Sequence, residues 1–279
     1  MGLASDAIHY ERHHRMVDST EAASLASQYL AQVDARSAHV SLVDQTSDAS
    51  LEAAYAVQDA YHALLRSRGD EIVGYKVALT SKAMQEFVGV DQPLAGAVFG
   101  SAVHDSPAEI DLSQFRHMGV EFEVAVRMAS DLAPGSGAHS REDVAAAVAA
   151  CHPAFELVED RNADYSVLNP FDLVAENAWN GGVVLGAAVD DWRQVDLIEG
   201  ATRLTLNGEP GGEGRTGDAL GHPLDAVAFL ANNLNDRGET LRAGQFVMTG
   251  SSIVTQFPAP GDELLFSIDG LGEVRIVCR

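Results

Sequence analysis

Two glutamates, two residues apart, pose a problem of charge. In the stretch HMGVEFEVAVRM, His117 to Met128, Val120, Phe122, Val124 and Val126 alternate with Glu121, Glu123 and Ala125. Period two is the repeat of a β-strand, so both carboxylates point to one face. Like charges that close repel, and apolar neighbours worsen the repulsion. Two resolutions are open. One is water: antiparallel strands often turn one face to solvent, and the alternation alone favours that reading. The other is a cation. Glu156 interrupts the apolar run of AFELVED, and Lys76 that of GYKVALT. A third acid and a lysine inside strand-like segments suggest an interior polar site. Three carboxylates offer the hard oxygen donors that Mg2+ or Mn2+ prefers. Zinc fits less well, with no Cys or His cluster nearby. Spacing alone does not make the three acids converge.

Other chemical signals are weaker. Gly212, Gly214 and Gly217 in GEGRTG have the spacing of a dinucleotide fingerprint. That motif must follow a strand and open directly into a helix. Here NGEPGG intervenes and Pro223 starts a helix some residues later, so a mobile loop is expected. There is no P-loop signature and no GxSxG nucleophile elbow. Cys151 and His152 are adjacent and on an extended chain would point apart. Cys151 is read as a buried helix-end residue and His152 as structural. HHR near the N-terminus is too short and isolated for a metal site.

The elements that must position these residues follow from pattern. Residues 1–17 read as a polar tail, 18–70 as a helical N-terminal region, and 71–279 as a β-rich catalytic core. Helices are expected from Thr20 to about Arg36 and from about Ser50 to Arg68, the second ended by Gly69. EIVGYKVAL reads as a strand and SKAMQEFVG as a short helix capped by Ser81. Further strands are expected at about 119–129, 155–159, 182–189, 201–207, 245–249 and 263–277. REDVAAAVAA and PLDAVAFLANNLNDRG read as helices, LNGE and IDGLG as hairpin turns. Strands and helices do not alternate regularly, which disfavours a doubly wound sheet.

Bulk properties narrow the function. The chain has 279 residues and a formal net charge of −23, so nucleic acid and anionic membranes are poor partners. A small anionic substrate would need a local positive centre, and a divalent cation is a natural one. No apolar run reaches the ~18–20 residues of a membrane span. No secretory signal is expected, and Asp6 breaks the myristoylation pattern. Two distant cysteines, Cys151 and Cys278, make no disulfide framework, so a cytoplasmic location is expected.

A set of blocks in fixed order carries a resemblance: GYKVALTSKAMQEFVGVDQP, GVEFEVAV, PAFELVEDRNADY, ENAWNGGVVLG, GHPLDAVAFLANNL and LRAGQFVMTGS. From roughly Leu51 to Val277 the chain resembles the 2-keto-4-pentenoate hydratase and 4-oxalocrotonate decarboxylase group of the fumarylacetoacetate hydrolase superfamily. The resemblance implies an α+β fold with a mixed β-roll or barrel-like core. It implies bound Mg2+ or Mn2+ held by Glu121, Glu123 and Glu156, with Lys76 as the active-site lysine. Burial beside a cation is expected to lower the Lys76 pKa. Leu79, Leu94, Trp179, Asn180 and Ser251 are the implied substrate-binding residues.

A 2-oxo acid or its dienol is the implied substrate, and a homo-oligomer the implied assembly. The implied function is a hydratase in aromatic-compound degradation. The alternatives are a 4-oxalocrotonate-type decarboxylase, a C–C bond hydrolase of a diketo acid, or a non-catalytic partner subunit. The sequence departs from the pattern in two places. Hydratases usually carry an acid after DQP, where this chain has Leu94 and decarboxylases an apolar residue. After NA, where small residues are usual, stand Trp179 and Asn180.

Overall fold

The computed structural model describes residues 19–135 and 137–279; the tail expected over residues 1–17, with its HHR, lies outside them. Two helices come first, α1 (Ser19–Asp34) and α2 (Leu51–Ser67). Ser50 caps α2 by accepting from the Ala53 amide, and Gly69 ends it at φ 89°. Then follow β1 (Ile72–Ala78), α3 (Lys82–Val88), β2 (Leu94–Phe99), β3 (Val103–Asp105) and β4 (Ala108–Ile110). The middle of the chain forms β5 (Met118–Met128), α4 (Arg141–Ala147), β6 (Val148–Glu159), α5 (Pro170–Ala175) and β7 (Asn180–Leu185). The last third forms β8 (Ala201–Leu206), β9 (Glu209–Arg215), α6 (Pro223–Asp236), β10 (Phe246–Ser251), β11 (Glu263–Ile268) and β12 (Gly272–Cys278).

The strands make two sheets. One has the order β2-β1-β10-β5-β6-β7-β3, the other β4-β12-β11-β8-β9. The first is mixed, with β1 parallel to β10 and most other pairs antiparallel. It curls until β2 and β7 touch, giving the expected half-barrel of an α+β fold. Its two faces differ. Val120, Phe122, Val124 and Val126 of β5 belong to the main core, where Phe122 and Phe155 meet Phe266 of the second sheet edge-on and tilted. On the other face Ala125, Ala154, Val183, Met248 and Phe246 form a smaller apolar cluster. Glu121, Glu123 and Glu156 continue that inner face beyond the cluster, by the strand alternation and the pairing of β5 with β6.

The structure departs from the sequence reading at four points. REDVAAAVAA ends as a helix at Ala147, and β6 begins at Val148, earlier than the strand expected at 155. Pairing of Arg127 with Ala150 and of Val126 with Cys151 overrides alanine's helix propensity. Cys151 is therefore buried in a strand, not at a helix end. The run PLAGAVF, without alternation, is a strand buried on both faces, β2. Gly212 and Gly214 lie on β9, the edge of the second sheet, rather than in a loop.

Candidate metal and substrate site

Strand register brings the acids together. Glu121 of β5 pairs directly with Glu156 of β6, and Glu123 sits two residues along the same face. One oxygen from each lies within 4.8 Å of the others. The solvated face that the alternation favoured is not what forms: Glu123 is 1% exposed and Glu156 0%. Only Glu121 is half-buried.

The protein ties down one oxygen of each carboxylate. Glu123 Oε2 accepts from the Gly250 amide at 2.7 Å, and Glu121 Oε1 from the Thr255 hydroxyl at 3.2 Å. Glu156 Oε1 accepts from Asn180 Nδ2 at 3.0 Å and lies 3.1 Å from Lys76 Nζ. Gly250 can present its amide only because it is glycine. Its φ is +106°, and a Cβ there would stand 2.4 Å from the Thr80 hydroxyl. What remains is a surplus of negative charge. Glu123 Oε1 and Glu156 Oε2 are buried with no hydrogen-bond partner. Burial, then Glu156 and Glu121, holds Glu123 well above the ordinary carboxylate range. Burial also raises Glu156, against the pull of Lys76. Two orphaned buried oxygens on a three-carboxylate donor set fit a hard divalent cation, which would partner both.

Lys76, on β1, is fully enclosed beside this cluster. It donates to the Ala178 carbonyl at 3.0 Å and faces Glu156. Burial pulls its ammonium down, but Glu156, Glu121 and Glu123 outweigh burial and leave its pKa raised. The lowering expected from burial beside a cation concerns the ion-loaded site. The protein's own carboxylates dominate, and a bound cation would offset them.

The carbonyl that holds Lys76 comes from a strained turn. Asn177, Ala178 and Trp179 stand in succession at φ 57°, 49° and 55°. The left-handed region costs roughly 1–2 kcal/mol for each non-glycine residue, so the surroundings must impose it. The Asn177 side chain does so by pairing with Ala97 like a strand neighbour, accepting from its amide at 2.7 Å and donating to its carbonyl at 2.9 Å. His62, buried in α2, donates from Nε2 to the same Asn177 oxygen at 2.8 Å. Burial lowers the His62 pKa to about 3, so the ring is neutral. Gly96 completes the fit, because a Cβ there would meet the Asn177 carbonyl at 2.6 Å. Trp179 is pinned by its Nε1 donating to Glu176 at 2.8 Å.

Above the acids opens a cavity of about 450 Å³, lined by Lys76 and Glu121. Of the residues the sequence suggested for substrate, Leu79, Trp179 and Ser251 line it. The Ser251 hydroxyl donates to the Ile253 carbonyl and accepts from the Phe122 amide, so it shapes the strand end rather than offering a free donor. Asn180 does not line this cavity; its amide holds Glu156. Leu94 is not brought there either. It pairs with the lining residue Ala78 but is 0% exposed in the main core. An apolar first residue of β2 packs inward. Sequence reasoning missed the Ala178 carbonyl, the Gly250 amide, Asn177 and His62. Backbone groups carry no side-chain signal. Asn177 and His62 become partners only through contacts across 115 residues.

Comparison with known proteins identifies the family. The model of the fumarylacetoacetate hydrolase C-terminal family matches residues 55–278. The chain is 36% identical over 228 residues to 2-keto-4-pentenoate hydratase of Burkholderia vietnamiensis, covering 82% of this chain and 85% of that one. It is 35% identical over 224 residues to 4-oxalocrotonate decarboxylase of Pseudomonas putida, covering 79% and 83%. Among solved structures, 4-oxalocrotonate decarboxylase from Pseudomonas putida G7, complexed with magnesium and adipate, superposes with a TM-score of 0.88 at 30% identity, over 93% of this chain and 98% of that one. The chain thus belongs to the fumarylacetoacetate hydrolase family and, within it, to the group of enzymes that contains the 2-keto-4-pentenoate hydratases and the 4-oxalocrotonate decarboxylases.

Proposed function

We propose that the protein is a Mg2+-dependent hydratase of 2-hydroxydienoate or 2-oxo-enoate acids such as 2-keto-4-pentenoate, acting in the breakdown of aromatic compounds. The observation that carries this reading is the convergence of Glu121, Glu123, Glu156 and Lys76, of which Glu121 and Lys76 line one cavity. Glu121, Glu123 and Glu156 would hold the ion, Mg2+ or Mn2+; the magnesium complex of the related decarboxylase supports the former. When bound, the ion supplies a Lewis acid for the substrate's carboxylate and 2-oxygen.

The chain's own residues do the rest. The Lys76 ammonium has three N–H donors. One meets Ala178 and one faces Glu156, leaving a proton for the cavity. Lys76 would orient the substrate or pass a proton between its 2-oxygen and C5 as the dienol becomes the conjugated ketone. Water then adds at C4 while C3 gains a proton. Proton transfer by a positioned group supplies ~10²–10⁴-fold. The turn at Ala178 keeps Nζ in place, and Trp179 and Leu173 form an apolar wall that limits competing water. On this reading residues 71–279 are the catalytic core, 18–70 a helical region laid upon it, and the enzyme a cytoplasmic homo-oligomer.

Decarboxylation is the second reading. The superposition on the decarboxylase favours it, as does Leu94, which offers no acid to activate water. The test is to supply 2-hydroxypenta-2,4-dienoate and 2-oxohex-3-enedioate separately with Mg2+, following dienol absorbance and CO2 release. Hydration of the first supports the proposal. CO2 release from the second, with no hydration of the first, replaces it with decarboxylation. Turnover of neither sinks both.

A further inference from the structure

A second cavity, of about 250 Å³, opens between helices α1 and α2 and the turn at Asn177. Among the described residues, none lines both it and the cavity above the acids. Two of its lining residues nevertheless serve the acid cluster. Asn180 donates from Nδ2 to Glu156, and Asn177 belongs to the turn whose Ala178 carbonyl holds Lys76.

The wall is aromatic. Tyr29, Tyr61 and Phe99 are buried and Phe115 half-buried, with Val33 and Leu65 beside them. The Tyr29 and Tyr61 rings meet at 4.7 Å between centroids. Arg36, Ser101 and Gln114 form an exposed rim through which a ligand can enter. Charge in the lining is balanced, Arg36 and Arg161 against Asp70 and Glu159. It is also committed to the protein. Glu159 accepts from the amides of Arg116, His117 and Arg161, and Asp70 from the amide and hydroxyl of Ser101. Arg161 donates to Gln32 and Glu176, and Arg36 to Gln114. An ion would find no surplus of either sign here.

Two neutral polar groups are left over. The Tyr61 hydroxyl makes no hydrogen bond among the described residues, although Tyr61 is only 6% exposed. Asn180 Oδ1 accepts none, while Nδ2 of the same amide holds Glu156. A hydroxyl, donor and acceptor in one group, answers both in kind. Size admits a ring. An apolar cavity of about 150 Å³ takes benzene, so this one holds a six-membered ring with its substituent.

We propose that this cavity is a second ligand site, for a small uncharged aromatic alcohol, and that its occupant tightens metal binding at Glu156. The ring lies among Tyr29, Tyr61, Phe99 and Phe115, and the hydroxyl donates to Asn180 Oδ1. An amide whose oxygen accepts becomes a stronger donor at its nitrogen. Asn180 then fixes Glu156 Oε1 more firmly and keeps Oε2, which has no partner, presented to the ion. The coupling rests on the reading of the acid cluster as a metal site; the ligand site does not.

Phenol is the probe, and toluene its match without the hydroxyl. Calorimetry on the full chain is expected to show phenol binding at least about fivefold more tightly than toluene, the factor that one neutral hydrogen bond typically supplies. Tyr61→Phe keeps the ring and removes the hydroxyl. Phenol affinity should fall about fivefold in this variant, with Mg2+ affinity in the absence of phenol unchanged. Saturating phenol should tighten Mg2+ binding to the wild type at least about fivefold, and saturating Mg2+ should tighten phenol by the same factor. Absence of phenol binding, toluene binding as tight as phenol, or an unchanged phenol affinity in Tyr61→Phe would each overturn the site. Phenol binding that leaves Mg2+ affinity unmoved overturns the coupling. If Mg2+ does not bind at all, the metal reading falls and the coupling with it, while the phenol titrations still decide the site.

Discussion

Two buried acid sites lie near one another in this fold, and they are built on opposite principles. Glu176 is balanced in charge by the protein, although its Oε1 is buried without a hydrogen bond. Arg161 and Trp179 donate to Oε2, each at 2.8 Å, and His39 Nε2 stands 3.2 Å from Oε1. Arg161 in turn lies over the Tyr29 ring, and the Tyr29 hydroxyl donates to the Glu176 carbonyl, which ties α1 to the turn. The cluster of Glu121, Glu123 and Glu156 has one ammonium for three carboxylates and two orphaned oxygens. A balanced buried pair keeps a structure in place. An unbalanced one is costly unless something arrives to balance it, and that deficit is the mark of a binding site.

The largest effect that would break this contrast is on turnover. Lys76→Met is expected to lower kcat by ~10²–10⁴, with Mg2+ affinity retained by calorimetry. A kcat within a small factor of wild type would make Lys76 a structural cation, like Arg161. Next comes Glu176→Gln. Removing one partner of a buried pair typically costs about 3–5 kcal/mol, read as a lowered midpoint in urea. A loss under about 1 kcal/mol would mean that Arg161 and Trp179 find other partners.

Glu123→Gln sharpens the other side. Mg2+ affinity should fall at least ~10–100-fold, the loss typical even of a supporting partner. Equal affinities in variant and wild type would remove the metal from this site. In EDTA the same variant should be more stable than wild type, because burial and like charges oppose ionisation. The folded Glu123 pKa is raised, so its contribution is full below the unfolded value of 4.5 and is lost as pH rises through the folded value. The stability gap between variant and wild type should therefore widen with rising pH. A gap that stays flat would show Glu123 to be balanced.

His62 gives a small effect near neutral pH, and its sign is opposite. Unfolded it takes up a proton near pH 6.5; folded, burial keeps it neutral to about pH 3. The unfolded state binds more protons in that window, so stability falls with falling pH, at most about 1.4 kcal/mol per pH unit. In His62→Asn that contribution should vanish from the pH profile. An unchanged profile would place the titration elsewhere.

How much of this was legible beforehand differs by residue. Glu121 and Glu123 could be read as neighbours on one face because strand alternation is local and strict. Glu156 and Lys76 stood out as charges inside apolar runs. LNGE and IDGLG gave their hairpins, since Asn207 and Gly208 take the left-handed angles that only such residues favour. β2 escaped notice, because a strand buried on both faces has no alternation to read. The start of β6 was hidden by alanines that suit a helix until β5 pairs with them.

By itself, the sequence determined the face, the order and the chemical type of the groups: two acids in phase, a third acid, one lysine, and a family pattern. Only tertiary structure decided whether that face meets water or is enclosed, because alternation is the same in both cases. It enclosed Glu123 and Glu156, turned Leu94 into the core, and gave Asn180 to Glu156 rather than to the cavity. It also made the Ala178 carbonyl and the Gly250 amide into parts of the site. Every residue has those backbone groups, and nothing in their type says which will be aimed. The aim comes from a turn held by Asn177 and His62 and from a strand end held by Ser251, through contacts that exist only once the sheet has closed.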